Sequence, residues 1–253
     1  MERIRVVKIG GNVVDDAAAL QRFVADFAAL CGPKILVHGG GKEATRLAEK
    51  MGVEVTMVDG RRITGREMLD IAVMVYAGAV NKRIVAALQA AGCNAIGLSG
   101  ADGDAVRAVR RPARPVDFGF VGDIVSVADG RLAMLLGAGL TPVFSAIMHD
   151  GAGTLLNCNA DSVASAVAVG MSRQAEVDLV YCFEREGVLG ADGRVVERIS
   201  REDFERLKAD GTVNSGMIPK IENALRAVGD GVRSVTIKSA AALGEPTSGT
   251  VIK

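Results

Sequence analysis

The residues best placed to do chemistry are two lysines and one aspartate, each beside a glycine or asparagine turn. Lys8 lies in the run Val6-Val7-Lys8-Ile9, which is followed by Gly10-Gly11. Glycines at a strand's carboxyl end let backbone N–H groups approach a phosphate closely. A lysine in an otherwise apolar strand is costly to bury unless it is paired. The same residues also fit an edge-strand lysine beside a plain turn. The second motif is His38-Gly39-Gly40-Gly41-Lys42-Glu43. It is no Walker A loop, because Leu36 and Glu43 stand where a glycine and a Ser/Thr are required, and it is no dinucleotide fingerprint. Three glycines opening a helix still offer free N–H groups and a favourable dipole to an anion, whereas a tight turn needs only one or two. Lys220, in Ser215-Gly216-Met217-Ile218-Pro219-Lys220, follows a proline suited to the first helical position. A cation in a first turn opposes the helix dipole. Glu222 could neutralise it, yet a bound anion explains it better.

The fourth motif is Leu156-Asn157-Cys158-Asn159-Ala160-Asp161. Asn159 fits an N-cap and Asp161 a first-turn acid, which is an adequate structural account of both. It leaves Asn157 unexplained. Cys158 reads as a small space-filler, since no histidine lies nearby to activate it. His149, before Asp150-Gly151, reads as a solvated turn residue. Gly97-Leu98-Ser99-Gly100 lacks the final glycine of a nucleophile elbow. No spaced set of His, Asp or Glu suggests a protein metal site.

The elements that must position these groups follow from hydrophobic periodicity. Strands are expected at Ile4–Ile9, Ile35–Val37, Ala95–Leu98, Thr141–Ser145, Val177–Tyr181 and Ser234–Ile237. Helices are expected at Ala17–Leu30, Lys42–Met51, Gly65–Gly92, Arg131–Leu136, Asp161–Val169, Glu202–Lys208 and Pro219–Val228. Alternation of this kind predicts a mainly parallel sheet covered on both faces. Val106–Val109 and Val121–Val127 flank an Arg- and Pro-rich segment and read as an inserted β-hairpin flap. A lobe boundary is expected near residue 170.

Composition narrows the function. Lys+Arg and Asp+Glu balance at 30 each, Trp is absent and aromatics are 4% of 253 residues. Neither a bulk field nor stacking platforms for nucleic acid are implied. The amino terminus lacks the apolar run of a secretion signal, and Met134–Met148, taken as the most apolar later stretch, is broken by glycines and a proline. No membrane segment and a cytoplasmic location are therefore expected. The four cysteines are scattered, with no CxxC pair.

Taken in order, Lys8-Ile9-Gly10-Gly11, His38-Gly39-Gly40-Gly41, Gly60-Arg61-Arg62-Ile63-Thr64, Gly97–Gly103, Gly119-Phe120-Val121-Gly122-Asp123, Asn157–Asp161, Gly216–Lys220 and Gly249-Thr250-Val251-Ile252 resemble the amino acid kinase family nearly end to end. The resemblance implies a three-layer αβα sandwich on an eight-stranded, mainly parallel sheet. Residues 1–170 would form the acyl-amino-acid-binding and dimerisation lobe, and 171–253 the ATP-binding lobe. The implied activity is ATP-dependent phosphorylation of the γ-carboxylate of N-acetyl-L-glutamate, a step of arginine biosynthesis. An N-succinyl or other acyl amino acid is the alternative acceptor, and a non-catalytic sensor the more distant one. Lys8, Lys220 and Asp161 match catalytic positions. Gly10, Gly11, Gly216 and Met217 match the phosphate and ATP site, Gly40 and Gly41 the shared substrate loop, and Arg62 and Asn157 the grip on the α-carboxylate. The hairpin over residues 105–127 would lie over the acyl group. Mg²⁺ would be held mainly by the nucleotide. The first strand starts close to Met1, without the added helix of arginine-inhibited hexamers, so a homodimer without arginine feedback is expected. Tyr181-Cys182-Phe183-Glu184-Arg185-Glu186 departs from the Leu-Thr-Asp common among relatives, so nucleotide contacts there do not carry over.

Overall fold

The computed structural model describes residues 3–58, 60–213 and 217–253. In chain order the elements are β1 (Ile4–Ile9), α1 (Gly11–Asp15), α2 (Ala17–Ala29), β2 (Lys34–His38), α3 (Gly41–Lys50), β3 (Met57–Val58) and β4 (Arg61–Arg62). A single rod follows, made of α4 (Arg66–Ala72), a π-helical stretch (Val73–Val80) and α5 (Asn81–Ala90). Then come β5 (Ala95–Leu98), β6 (Val106–Arg110), β7 (Gly122–Val127), α6 (Asp129–Gly137), β8 (Thr141–Phe144), β9 (Ile147–His149), β10 (Leu155–Asn157) and α7 (Ala160–Met171). The chain closes with β11 (Val177–Phe183), β12 (Arg198–Ile199), α8 (Arg201–Ala209), α9 (Ile218–Gly229), β13 (Ser234–Ser239) and β14 (Thr250–Ile252).

Eight strands form one sheet in the order β12-β14-β13-β11-β1-β2-β8-β5, and only the β13–β14 pair is antiparallel. The expected α/β sandwich on a mainly parallel sheet is thus present. Two apolar layers sandwich the sheet. One gathers Ile4, Val6, Ile35, Val37 and Phe144 with α7 and α9; the other gathers Val7, Ile9, Leu36 and Val143 with α2 and the long rod. The alternation of successive residues between the layers is the period-two pleat of a sheet covered on both sides. The same alternation carries Lys8 onto the α7 side with Ile4 and Val6. The four strands from residues 4–144 make one half of the sheet and the four from residues 177–252 the other, joined along β1 and β11.

One expectation changes. The hairpin of β6 and β7 is half of a separate four-stranded sheet, β10-β9-β6-β7. Strands β9 and β10 have three residues each, too few to show a period-two pattern. The rod Arg66–Ala90 is long and apolar enough to cross a membrane by length and composition. Its Leu69, Ile71, Val75, Val80, Ile84 and Leu88 are instead core residues packed among other elements of the protein.

Candidate active site

The carboxyl ends of β1, β2 and β11 open onto a common cleft, where parallel α/β sheets bind ligands. A cavity of about 620 Å³ lies there, within the size range of small-molecule sites. Its walls include Lys8, Gly10, Gly11, Lys42, Asp161, Phe183, Arg185, Met217 and Lys220. Lys8 is 7% exposed, and its Nζ lies 2.7 Å from Asp161 Oδ1 in an ion pair. Asp161 stands there because Asn159 caps α7: the Asn159 side chain accepts from the Asp161 and Ser162 N–H groups. The Tyr181 hydroxyl donates to the Asp161 carbonyl at 3.1 Å, tying α7 to β11. Burial, helped by the Asp161 charge, pushes the Tyr181 phenol well above its ordinary range.

Lys220 enters the cavity from the first turn of α9. That helix begins at Ile218, one residue before the expected Pro219, and Met217 is its N-cap. Glu222 does not neutralise Lys220; it pairs with Lys208 at 2.9 Å. Burial holds the Lys220 ammonium below the ordinary lysine range, against the pull of Asp161 and with the repulsion of Lys8. Gly216 lies outside the described residues.

A second cavity of about 220 Å³ abuts the first and shares Gly39, Gly40 and Gly41 with it. Arg62 and Asn157 line it, with Tyr76, Arg111, Val121, Asp123 and Cys158. Arg62 Nη2 donates to the Gly41 carbonyl at 2.9 Å and to Thr45 Oγ1 at 2.7 Å, and Nη1 lies 3.9 Å from Met68 Sδ. Three of its five N–H groups are so engaged, and the Tyr76 hydroxyl is hydrogen-bonded to the same side chain. Asn157 Nδ2 donates to Thr64 Oγ1 at 3.1 Å, and that hydroxyl donates to the Arg62 carbonyl. Arg62 and Asn157, ninety-five positions apart, are therefore coupled through one threonine. The flap borders this cavity through Val121–Asp123, and Arg111 is ion-paired with Asp123. Burial pushes the Cys158 thiol up to about 12, in keeping with a space-filler.

The glycine loop between the cavities is held from below. His38 is fully buried; its Nδ1 is 2.7 Å from the Gly39 carbonyl and its Nε2 accepts from Asn81 Nδ2 at 3.0 Å. Nδ1 therefore carries the proton and donates to Gly39. Asn81 is anchored in turn on the Val143 carbonyl. Burial drops the His38 imidazole to about 4. Gly40 leaves room for the Tyr76 ring, since a Cβ there would lie 2.7 Å from it and the ring would have to shift. Tyr76, Thr45 and Asn81 are site residues that motif reasoning misses, whereas Thr64 ends the Gly60–Thr64 motif with no role assigned to it there. Only the third glycine of the loop hints at them, by asking what sits against it.

Outside the cleft, His149 departs from its expected solvated turn. It ends β9, its side chain is 15% exposed, and Nε2 faces Asp104 Oδ1 at 3.1 Å. Asp104 also pairs with Arg107 and Arg131, and these hydrogen bonds hold its carboxyl far below the usual range. Ser99 is engaged by Asp102 through both Oγ and N–H, which disposes of a nucleophile at that turn.

The amino acid kinase family model matches residues 3–239. The chain belongs to that family. Similar members include an acetylglutamate kinase from Phocaeicola vulgatus, 49% identical over 100% of this chain and 99% of that one. Another, from Methanopyrus kandleri, is 39% identical over 99% of this chain and 100% of its own length. Among solved structures, an N-acetylglutamate synthase from Neisseria gonorrhoeae complexed with coenzyme A and N-acetyl-glutamate superposes with a TM-score of 0.83 at 26% identity. That alignment covers 98% of this chain but 59% of the synthase. A Giardia lamblia carbamate kinase bound to AMP-PNP shares the fold, with a TM-score of 0.72 at 14% identity over 98% of this chain and 97% of that one.

Proposed function

We propose that this chain transfers the γ-phosphoryl group of ATP to the γ-carboxylate of N-acetyl-L-glutamate, giving N-acetyl-L-glutamyl 5-phosphate, a step of arginine biosynthesis. One observation carries the reading. A lysine-lined cavity sized for a nucleotide meets a smaller cavity floored by Arg62 and Asn157, and among the described residues the two share only the Gly39–Gly41 loop.

The donor sets fit both ligands. Lys8, Lys42, Arg185 and Lys220 outnumber Asp161 and Glu184 around the larger cavity, as a polyphosphate requires. Among the described residues no cluster of three or more His, Cys, Asp or Glu could hold a metal. Asp161 is engaged by Lys8, so Mg²⁺ would be held mainly by the nucleotide's own oxygens. There it would neutralise part of the phosphate charge.

The acceptor needs no general base, because a glutamate side chain has a pKa of about 4.3 and is ionised at neutral pH. Catalysis then rests on alignment and on charge neutralisation. Arg62 and Asn157 hold the α-carboxylate, which fixes the γ-carboxylate at the glycine loop. The Gly40 and Gly41 N–H groups would serve the point where acceptor and phosphate meet; the Gly10 N–H is spent on the Cys182 carbonyl at 3.2 Å, so Gly10 lends the phosphates room and Gly11, at the start of α1, the N–H. Lys8 and Lys220 balance the charge of the transferring group and the departing diphosphate, while Asp161 keeps Lys8 in place. Residues 1–170 thus contribute the acceptor site and the glycine turns, Lys8, Lys42 and Asp161 of the nucleotide site, to which 171–253 add Phe183, Arg185, Met217 and Lys220.

The chain works as a cytoplasmic homodimer in this reading. Strand β5 ends the large sheet, and the neighbouring rod leaves Met74 50% exposed, a combination suited to a second copy. Light scattering should return twice the chain mass. The activity is tested by ATP turnover with N-acetyl-, N-succinyl- and unmodified L-glutamate in hydroxylamine, which traps an acyl phosphate as its hydroxamate. N-acetyl-L-glutamate should give the highest kcat/KM. Hydroxamate from none of the three would refute the proposal.

A further inference from the structure

The last residue of β11 sits where its side chain meets both lysines. The parallel register sets Lys8 beside Tyr181, and the two-residue pleat puts Tyr181 and Phe183 on one face. Their rings stack with centroids 6.0 Å apart at 19°. Tyr181 is 2% exposed and hydrogen-bonded to Asp161, so it gives Phe183 a firm support. Lys220 Nζ lies 3.7 Å from the Phe183 ring centroid, and Lys8 Nζ lies 4.9 Å from it.

The two ammonium groups are held differently. Lys8 has a carboxylate at 2.7 Å. Lys220 has the ring face as its close partner, and Asp161 reaches it only as a charge in the neighbourhood. A carboxylate in the place of Phe183 would draw Lys220 into an ion pair and compete with any phosphate. An aromatic face attracts a cation through its quadrupole and carries no oxygen acceptor. An ammonium seated on a ring therefore keeps N–H groups for a ligand on its far side.

We propose that Phe183 is a positioning residue for phosphoryl transfer: its ring is the seat that holds the Lys220 ammonium facing the nucleotide cavity with its charge uncompensated. The inference rests on the kinase reading above and deepens it. It also gives the atypical Tyr181–Glu186 segment a purpose, since an aromatic seat stands where the family resemblance leads one to expect Leu-Thr-Asp. The charged groups facing Lys220 are Asp161 from α7, Lys8 from β1, and Glu184 and Arg185 just after β11. Lys42 of α3 lines the same cavity.

The test compares Phe183→Leu, which keeps an apolar filler, with Phe183→Tyr, which keeps the ring. A cation on an aromatic face gains of the order of 0.5–1 kcal/mol at exposed sites and about 2 when desolvated. Phe183→Leu should therefore lower kcat by roughly 5- to 10-fold, with KM for ATP changed less than about twofold. The ring favours the charged lysine, so its loss should also move the alkaline limb of the pH–rate profile to lower pH. Phe183→Tyr should restore both. A structural filler would leave kcat and the limb of Phe183→Leu at wild-type values, and that result would overturn the proposal. So would a loss confined to ATP affinity in both variants, which would assign the ring to the nucleotide itself. A readout independent of turnover is the NMR shift of the Lys220 ε-methylene. It should show a ring-current displacement in the wild-type chain and in Phe183→Tyr that vanishes in Phe183→Leu. Absence of that displacement in the wild type sinks this inference alone, whereas absence of hydroxamate sinks the kinase reading alone.

Discussion

The two cavities on either side of the glycine loop handle charge in opposite ways. On the acceptor side, Arg62 already donates to Gly41 and Thr45, Asn157 to Thr64, and Arg111 is paired with Asp123. On the nucleotide side, Asp161 and Glu184 stand among Lys8, Lys42, Lys220 and Arg185, and Lys220 rests on a ring. The first arrangement is rigid and prepaid in hydrogen bonds, which suits recognition of a ground state. The second leaves positive charge unbalanced, which suits charge that grows during transfer. Substitutions on the two sides should therefore separate kinetically.

The largest effect is expected from Lys8→Ala and Lys220→Ala. Each should lower kcat by about 10²- to 10³-fold, comparable with the loss of one transition-state donor, while KM for the acyl amino acid changes little. Steady-state kinetics at saturating ATP would check this, and a change confined to KM would erase the distinction between the cavities.

Next comes His38, beneath the loop both sites share. Its pKa falls from about 6.5 in the unfolded chain to about 4 when buried. The unfolded state therefore binds more protons between those values, and stability rises with pH across that window. Lowering the pH from 7 to 4 should cost about 3 kcal/mol from this group, at about 1.36 kcal/mol per unit. The cost should be complete near pH 4. Urea unfolding of the wild type and of His38→Gln should show the slope between pH 4 and 6.5 only in the former.

Arg62→Lys removes a planar fork that lysine cannot reproduce. The loss of charge-assisted hydrogen bonds worth about 1.5–3 kcal/mol should raise KM for N-acetyl-L-glutamate roughly 10- to 100-fold, with kcat nearly unchanged. The smallest effect should come from Gly40→Ala. Its Cβ meets an aromatic side chain rather than backbone, so kcat/KM for both substrates should fall only about 10-fold. Gly40→Ala with Tyr76→Leu should recover part of that loss.

Sequence made the nucleotide side more legible than the acceptor side, for physical reasons. Lys8, Asp161 and Lys220 each sit at a strand or helix terminus marked by glycine, a cap or proline, and such termini are local signals. The acceptor side is assembled from groups far apart in the chain: Arg62 beside Gly41, Thr64 beside Asn157 and Tyr76 against Gly40. Nothing local in the sequence announces those contacts: Asn157 stood out only as a polar residue the cap does not explain, and the family resemblance alone pointed to Arg62. The main sheet was legible because its strands are long enough to alternate. The short strands β9 and β10 were not, and neither was the burial of His149 that they bring about.

The most direct test of the central claim is the single-turnover rate of acyl-phosphate formation by Lys220→Ala, with N-acetyl-L-glutamate and MgATP both saturating, alongside its nucleotide Kd. The account predicts a rate about 100-fold below wild type with Kd altered less than about 10-fold. A wild-type rate accompanied by a large loss of nucleotide affinity would contradict it.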